Sequence, residues 1–322
     1  MPTRISLPHC LLACVACVAC IGVLGNLTPV TAADTSSSHR ILLHGRTGLA
    51  IIEPGGEVSW QMPWNNIHDL HLLDNGNILT RQGNATVVEI NPETKTVQWK
   101  YDSASENGNA GKSVEVHAFQ RLVNGNTMIA ESGPARIIEI DRVGNLVHQI
   151  QLVTDRPSTH SDTRLARKLD NGNYLVAQEA DGKVREYNPE GEVVWEYEVP
   201  MFDKPARGGH GPDGFGNKLF SAVRLENGNT LIGGGNGHCV LEVTPDKQIV
   251  RQIHQDDLAG IRLAWVTTVA ALDNGNWMIG NCHAGPDQPI LIEVEPKTKR
   301  VMWTLERFDD FGNNVSNSSV IR

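Results

Sequence analysis

The chain has 322 residues, 40% of them hydrophobic and 20% charged, with 31 Gly and 16 Pro. That is globular chemistry with enough chain to bury a sizeable core, and it excludes disorder and collagen. Acidic residues outnumber basic ones, 37 against 28, for a formal charge of −9, which disfavours non-specific nucleic-acid binding.

Residues 1–33 read as a cleaved export signal. Arg4 lies in a short polar start, an apolar run extends from Cys10 to Leu24, and Val30-Thr31-Ala32-Ala33 offers a small-residue cleavage site. A secreted or periplasmic protein of about 289 residues, 34–322, is expected as one domain. Cys10, Cys14, Cys17 and Cys20 leave with the signal, so only Cys239 and Cys282 remain. No later stretch reaches the ~18 apolar residues of a membrane span.

From residue 40 onward one unit repeats. Asn-Gly-Asn, with Leu two residues ahead of it, stands at 75–77, 124–126, 171–173, 227–229 and 274–276, its starts 49, 47, 56 and 47 residues apart. Each copy leads into an apolar run, a polar loop, a second run ending in Glu, a turn, and a third run that usually ends in Trp. The Glu series reads Glu53, Glu89, Glu139, Glu186, Glu242, Glu293; the Trp series reads Trp60, Trp99, Trp195, Trp303, with His148 and Arg251 in the two remaining places. Asn-Gly between β-rich runs signals a tight hairpin, here expected as a type I′ turn. The second turn, as in Asn91-Pro92-Glu93-Thr94, sets Pro where its φ already suits. No segment holds a 3.6-residue period over a helix's length.

Four strands per ~47-residue unit is the arithmetic of a β-propeller blade. The chain begins within a blade, at Arg40–Trp60, and ends with 314–321, which can supply that blade's missing first strand. The expectation is an all-β, six-bladed propeller of four antiparallel strands per blade, closed by a blade that both termini share. The Trp series is expected to pack between blades.

Alternating strand directions put the Asn-Gly-Asn and Pro-containing turns on one face. The other face receives the long polar segments, 102–116, 153–163, 200–219, 255–266 and 306–315 between blades among them. Eight of the eleven histidines after the signal fall in or beside these segments: His44, His68, His117, His160, His210, His238, His254 and His283. His68 and His117 occupy one slot, seven residues before Asn-Gly-Asn, where other blades carry Arg164, Phe220 and Thr267. A funnel lined by His and Arg is expected on this face. His68, His117, His160 and Arg164 are its candidate catalytic residues; His210, His238, His283, Arg81 and Glu131 are candidate ligand contacts. His238-Cys239 and Cys282-His283 offer two thiols and two imidazoles, yet adjacent residues point to opposite sides of a strand, which favours a disulfide or two unrelated thiols over a metal site. The Gly-rich 208–211 and 233–237 lack the Lys-Ser/Thr of a phosphate loop and read as loops of unusual φ.

The repeated Leu-x-Asn-Gly-Asn with Glu-x-Asn-Pro and Trp resembles quinoprotein-like propeller repeats and, more closely, the propeller of bacterial arylsulfotransferases. In that family His-Asp opens the innermost strand, as His68-Asp69 does here, and His and Arg of the funnel carry the sulfuryl group. The resemblance implies that His68 accepts or protonates while His117, His160 and Arg164 bind the anion. No counterpart of those enzymes' N-terminal sandwich domain is expected within residues 34–322. Pyrroloquinoline quinone is not expected to bind, because the quinone enzymes of the superfamily have eight blades and a vicinal Cys pair. No cofactor is otherwise implied. Three functions follow: a binding propeller for a small anionic or carbohydrate-like ligand, an enzyme working in the same funnel by group transfer or by lyase or hydrolase chemistry, and a monomeric scaffold whose loop face binds another protein.

Overall fold

The computed structural model describes residues 39–312 except 47, 66 and 67, together with 315 and 317–321; the export signal lies outside the described residues. Six four-stranded antiparallel sheets succeed one another. Blade 1 combines Arg40–Gly45, Gly48–Ile52 and Val58–Met62 with the C-terminal strand Asn317–Ile321, which pairs with Arg40–His44 and forms the inner edge. Both termini share this blade, so the ring is closed by sheet hydrogen bonds rather than left with a free edge. Blades 2 to 6 begin at Leu70, Glu115, Leu165, Ser221 and Trp265. A short helix, Phe308–Phe311, leads into the closing strand.

The second and third strands of each blade are almost wholly buried, while the outermost strands alternate with solvent. Apolar clusters bridge neighbouring sheets, as where Ala118, Met128 and Ile137 of blade 3 meet Ala166, Tyr174 and Val176 of blade 4. The Trp series packs there as expected. Indole Nε1 of Trp60, Trp99 and Trp195 donates to Pro92 O, Arg142 O and Pro245 O of the next blade's outer turn, each at 2.8 Å.

The Asn-Gly-Asn turn differs from the type I′ expectation. At 75–77 only Gly76 has positive φ, at 79°. Gly76 N donates to Leu73 O and Leu73 N to Asn77 O, both at 2.8 Å. This is the three-residue hairpin, a turn closed by one left-handed glycine, which leaves both Asn side chains free for another task. Asn75 Nδ2 and Asn77 Nδ2 donate to Glu89 Oε1 at 3.1 and 2.8 Å. Glu186, Glu242 and Glu293 receive the same pair of amides from 171/173, 227/229 and 274/276.

Register corrects one member of the Glu series. Glu89, Glu139, Glu186, Glu242 and Glu293 stand opposite Trp99, His148, Trp195, Arg251 and Trp303, but Ile51, not Glu53, stands opposite Trp60. Glu53 lies two residues on and pairs with Arg40. The reason is the closing blade itself: its first and second strands come from opposite ends of the chain, so no Asn-Gly-Asn amides need a carboxylate.

The opposite lone pairs of these carboxylates face basic groups. Arg121 of blade 3 reaches Glu89 of blade 2, Lys168 reaches Glu139, and Arg224 reaches Glu186. Blade 6 carries Ala271 in that slot. Arg251 serves Glu242 from its own blade instead, and the vacated space opens a groove of about 980 Å³ between blades 5 and 6 on the turn face.

Candidate functional site

Along the innermost strands a channel of about 300 Å³ is lined by Leu70, Leu165, Val223 and Val269, with Arg167 among them. Its upper end is tied by Asp69, which is fully buried. Arg167 Nη1 and Nη2 donate to Asp69 at 2.7 and 2.9 Å, Phe119 N at 3.0 Å and Asn317 Nδ2 at 3.1 Å, and His71 Nε2 lies 3.2 Å away. One carboxylate therefore joins blades 1, 2, 3 and 4. Burial alone would raise the Asp69 carboxyl, but Arg167 and His71 hold it far below the usual carboxylate range.

One strand step nearer the loop face, the expected funnel residues come together. The His68 ring lies 4.3 Å from His117, 6.4 Å from His160 and 6.3 Å from Phe220, and His117 lies 5.5 Å from His160. The Arg164 guanidinium is 5.9 Å from the Phe220 ring. Its Nε donates to Glu179, whereas its Nη1 is buried and meets no partner among the described residues. His68 Nδ1 is likewise buried without a partner. Arg81 enters from the second strand of blade 2, donating to Val116 O at 2.8 Å and Asn84 O at 3.4 Å.

The local field is cationic. Burial, then the neighbouring His117, Arg164, Arg81 and His160, push the His68 imidazole well below its ordinary value. Burial brings His117 down to about 4, with Arg164 and Arg81 adding to the shift against the contact with the Glu115 carboxylate. Burial and Arg164 lower Arg81 to about 10 although Glu115 opposes them.

Two acidic residues of the site were not singled out in the sequence. Glu179 balances Arg164. Glu115 sets Oε2 3.0 Å from His117 Nε2 and 2.9 Å from His160 Nδ1. Its only signal was nearness to His117 in the string: the strand bulges between Val116 and Ala118, so strict alternation does not by itself put the two on one face.

The other expected contacts fall elsewhere. His210 and His283 sit 5.3 Å apart, with His210 4.6 Å from Trp265. Trp265, Phe220 and Cys282 form one buried cluster, so this pair adjoins the first group through Phe220. Glu131 is fully buried and its Oε2 pairs with Arg136 at 2.6 Å, while its Oε1 meets no partner among the described residues. His238, at φ 50°, points both ring nitrogens at backbone carbonyls, Ala264 O at 2.6 Å and Gly214 O at 2.5 Å, a structural role. Cys239 is a thiol buried in the apolar cluster of blades 4 and 5, and Cys282 lies beside Trp265 with its Sγ 2.9 Å from His283 Nδ1; the two are not joined in a disulfide. Burial raises both thiols to about 12, which suits inert side chains rather than metal ligands. Thr267 donates to Val315 O at 3.3 Å.

The family model described as outer membrane protein assembly factor BamB, the PQQ_2 type, matches residues 46–305. The chain belongs to this PQQ-like propeller family. No curated protein matches the PQQ-like chain in sequence. Among solved structures, a Bacteroides caccae protein of unknown function is 24% identical, with a TM-score of 0.72 over 88% of this chain and 99% of that one. A streptogramin B lyase is 11% identical, TM-score 0.55, covering 84% of this chain and 80% of its own. An inactive variant of virginiamycin B lyase from Staphylococcus aureus, solved with quinupristin, is 10% identical, TM-score 0.55, covering 86% and 87%. At these identities the likeness is one of fold. Among the described residues no helix is long and apolar enough to cross a membrane.

Proposed function

We propose that this PQQ-like propeller is an exported binding protein that takes a small anionic ligand, such as an aryl sulfate or an acidic oligosaccharide, at the cluster of Arg81, Arg164, His68 and His117. Arg164 Nη1 carries the reading: a buried guanidinium nitrogen without a partner, beside an imidazole nitrogen in the same state. Single buried nitrogens of this kind also occur on the turn face, at Arg121 Nε and Arg224 Nε; here they gather with His117 and Arg81 in one cationic pocket, where an oxyanion can accept from Arg164 Nη1 and from the Nδ1–H tautomer of His68. Pyrroloquinoline quinone has no part in this reading, because the two thiols lie in separate buried clusters and cannot form the vicinal pair its enzymes use.

Calorimetric titration with an aryl sulfate and with acidic oligosaccharides tests the proposal. Binding is expected, and Arg164→Met is expected to weaken it ~10–100-fold, the worth of a charge-assisted hydrogen bond. Equal affinity in Arg164→Met, or no binding of either class, would leave the loop-face scaffold as the better reading. Release of phenol or of cleaved sugar that disappears in His68→Ala would move the protein from binder to enzyme.

A further inference from the structure

We propose that Glu115, His117 and His160 hold a single first-row divalent cation of the zinc class at the mouth of the ring. Their candidate ligand atoms lie within 4.8 Å of one another: Glu115 and His117 come from the innermost strand of blade 3, and His160 from the connection between blades 3 and 4.

Hydrogen-bond roles supply the argument. His117 Nδ1 stands 3.0 Å from Thr163 O, a carbonyl that can only accept, so the proton of a neutral ring belongs on Nδ1. Nε2 then turns a lone pair toward Glu115 Oε2, itself an acceptor, at 3.0 Å. A second imidazole, His160 Nδ1, approaches the same oxygen at 2.9 Å. His117 Nε2 and Glu115 Oε2 are thus two electron-pair donors set against each other, an approach that a proton or a metal ion between them would relieve, and His160 Nδ1 can join either as an N–H donor or as a ligand. Metal–ligand bonds of ~2.0–2.2 Å at ~90–110° place ligand atoms ~2.8–3.6 Å apart, a range that holds both carboxylate–imidazole spacings, 3.0 and 2.9 Å, while the two imidazole nitrogens lie within 4.8 Å of each other. The Thr163 contact also supplies the backbone acceptor that commonly orients a metal-bound histidine through its other nitrogen.

Two imidazoles and one carboxylate favour zinc or a similar borderline ion over calcium or magnesium, and leave at least one coordination position open. Access is direct, because the His160 side chain is 63% exposed and Glu115 24%. Charge connects this site with the anion pocket. Glu115 and Glu179 balance Arg81 and Arg164, so an added dication calls for an anion on its open side, the ligand class proposed above. The metal site does not depend on that proposal.

Zinc alone, titrated into the full protein after chelator treatment, is expected to bind as one equivalent, and Co²⁺ to give visible d–d bands of a nitrogen-ligated site. His160→Ala and Glu115→Gln are each expected to weaken zinc at least ~10-fold. Both positions are partly exposed, and circular dichroism verifies that the variants fold. His254→Ala and Cys282→Ser are expected to keep wild-type affinity. Zinc affinity weaker than ~1 mM, or affinity that survives His160→Ala, or loss of binding in Cys282→Ser, would each overturn the assignment, the first leaving an imidazolium–carboxylate pair. Sulfate titration into the chelator-treated protein reads the anion pocket separately, so either proposal can fail without the other.

Discussion

On the turn face Glu89 accepts from Asn75, Asn77, Arg121 and Arg142, at 3.1, 2.8, 3.0 and 2.6 Å. On the loop face, at the head of the neighbouring innermost strands, Arg164 and His68 bury nitrogens that meet nothing. Both regions use ionic side chains between blades of one ring. The first supplies Glu89 and Glu186 with donors from their own turn and from the next blade, which is what holding blades together requires. The second gathers Arg164 Nη1 and the His68 imidazole, itself pushed toward its neutral form, in one cationic pocket without matching acceptors among the described residues, the arrangement on which the proposed ligand site rests.

Adjacent residues 68 and 69 give the sharpest way to break this comparison. Asp69→Ala strands Arg167 in the channel and leaves Phe119 N and Asn317 without their acceptor. A loss of ~3–5 kcal/mol is expected, as for breaking a buried ion pair, read by urea denaturation. A change below ~1 kcal/mol would show that the closure does not rest on this carboxylate.

Acid titration sharpens the turn-face half. Burial alone would raise the Glu89 carboxyl, but hydrogen bonds from Arg142, Asn77 and Asn75 overcome it and hold it at about 2; Glu242 and Glu293 are lowered in the same way. A depressed folded-state value means stability fully present above the ordinary carboxylate value of 4.5 and lost as pH falls from there toward 2. Thermal midpoints should therefore drop steeply over that interval, and Glu89→Gln should flatten part of the drop. A midpoint insensitive to pH down to 2 would contradict the saturated ring.

The smallest effect has the opposite sign. His68→Leu replaces an imidazole whose Nδ1 has no partner with an apolar side chain of similar size beside Phe220. It is expected to raise stability by about 1 kcal/mol, measured by urea denaturation, while weakening the ligand. Lower stability would mean that His68 is part of the structural network after all.

Much of the fold was legible because each blade repeats the same local chemistry. Leu-x-Asn-Gly-Asn marked five hairpins, the Trp residues marked the blade interfaces, and the two incomplete ends pointed to a shared blade. The misreadings came where local pattern and register part company. Glu53 looks like its counterparts in the string, but a carboxylate two residues past the Trp-facing position cannot reach a turn, and blade 1 has no such turn to reach. Asn-Gly suggested type I′ because the string does not show that the Asn side chains are engaged by a glutamate more than ten residues away. At the mouth, the slot seven residues before Asn-Gly-Asn led to His68, His117 and Arg164. His238 and Glu131 share the face but not the site, since one is held by two carbonyls and the other by Arg136.

The amino-acid sequence by itself determined the repeat, the blade count and the face on which long loops gather, because turn chemistry and β-periodicity act over a few residues. Only the tertiary structure decided which charges meet: Asp69 with Arg167 across 98 positions, Glu115 with His160 across 45, and Arg164 Nη1 with nothing. Those pairings depend on how neighbouring sheets are set against one another, a geometry that the local pattern within each blade does not contain.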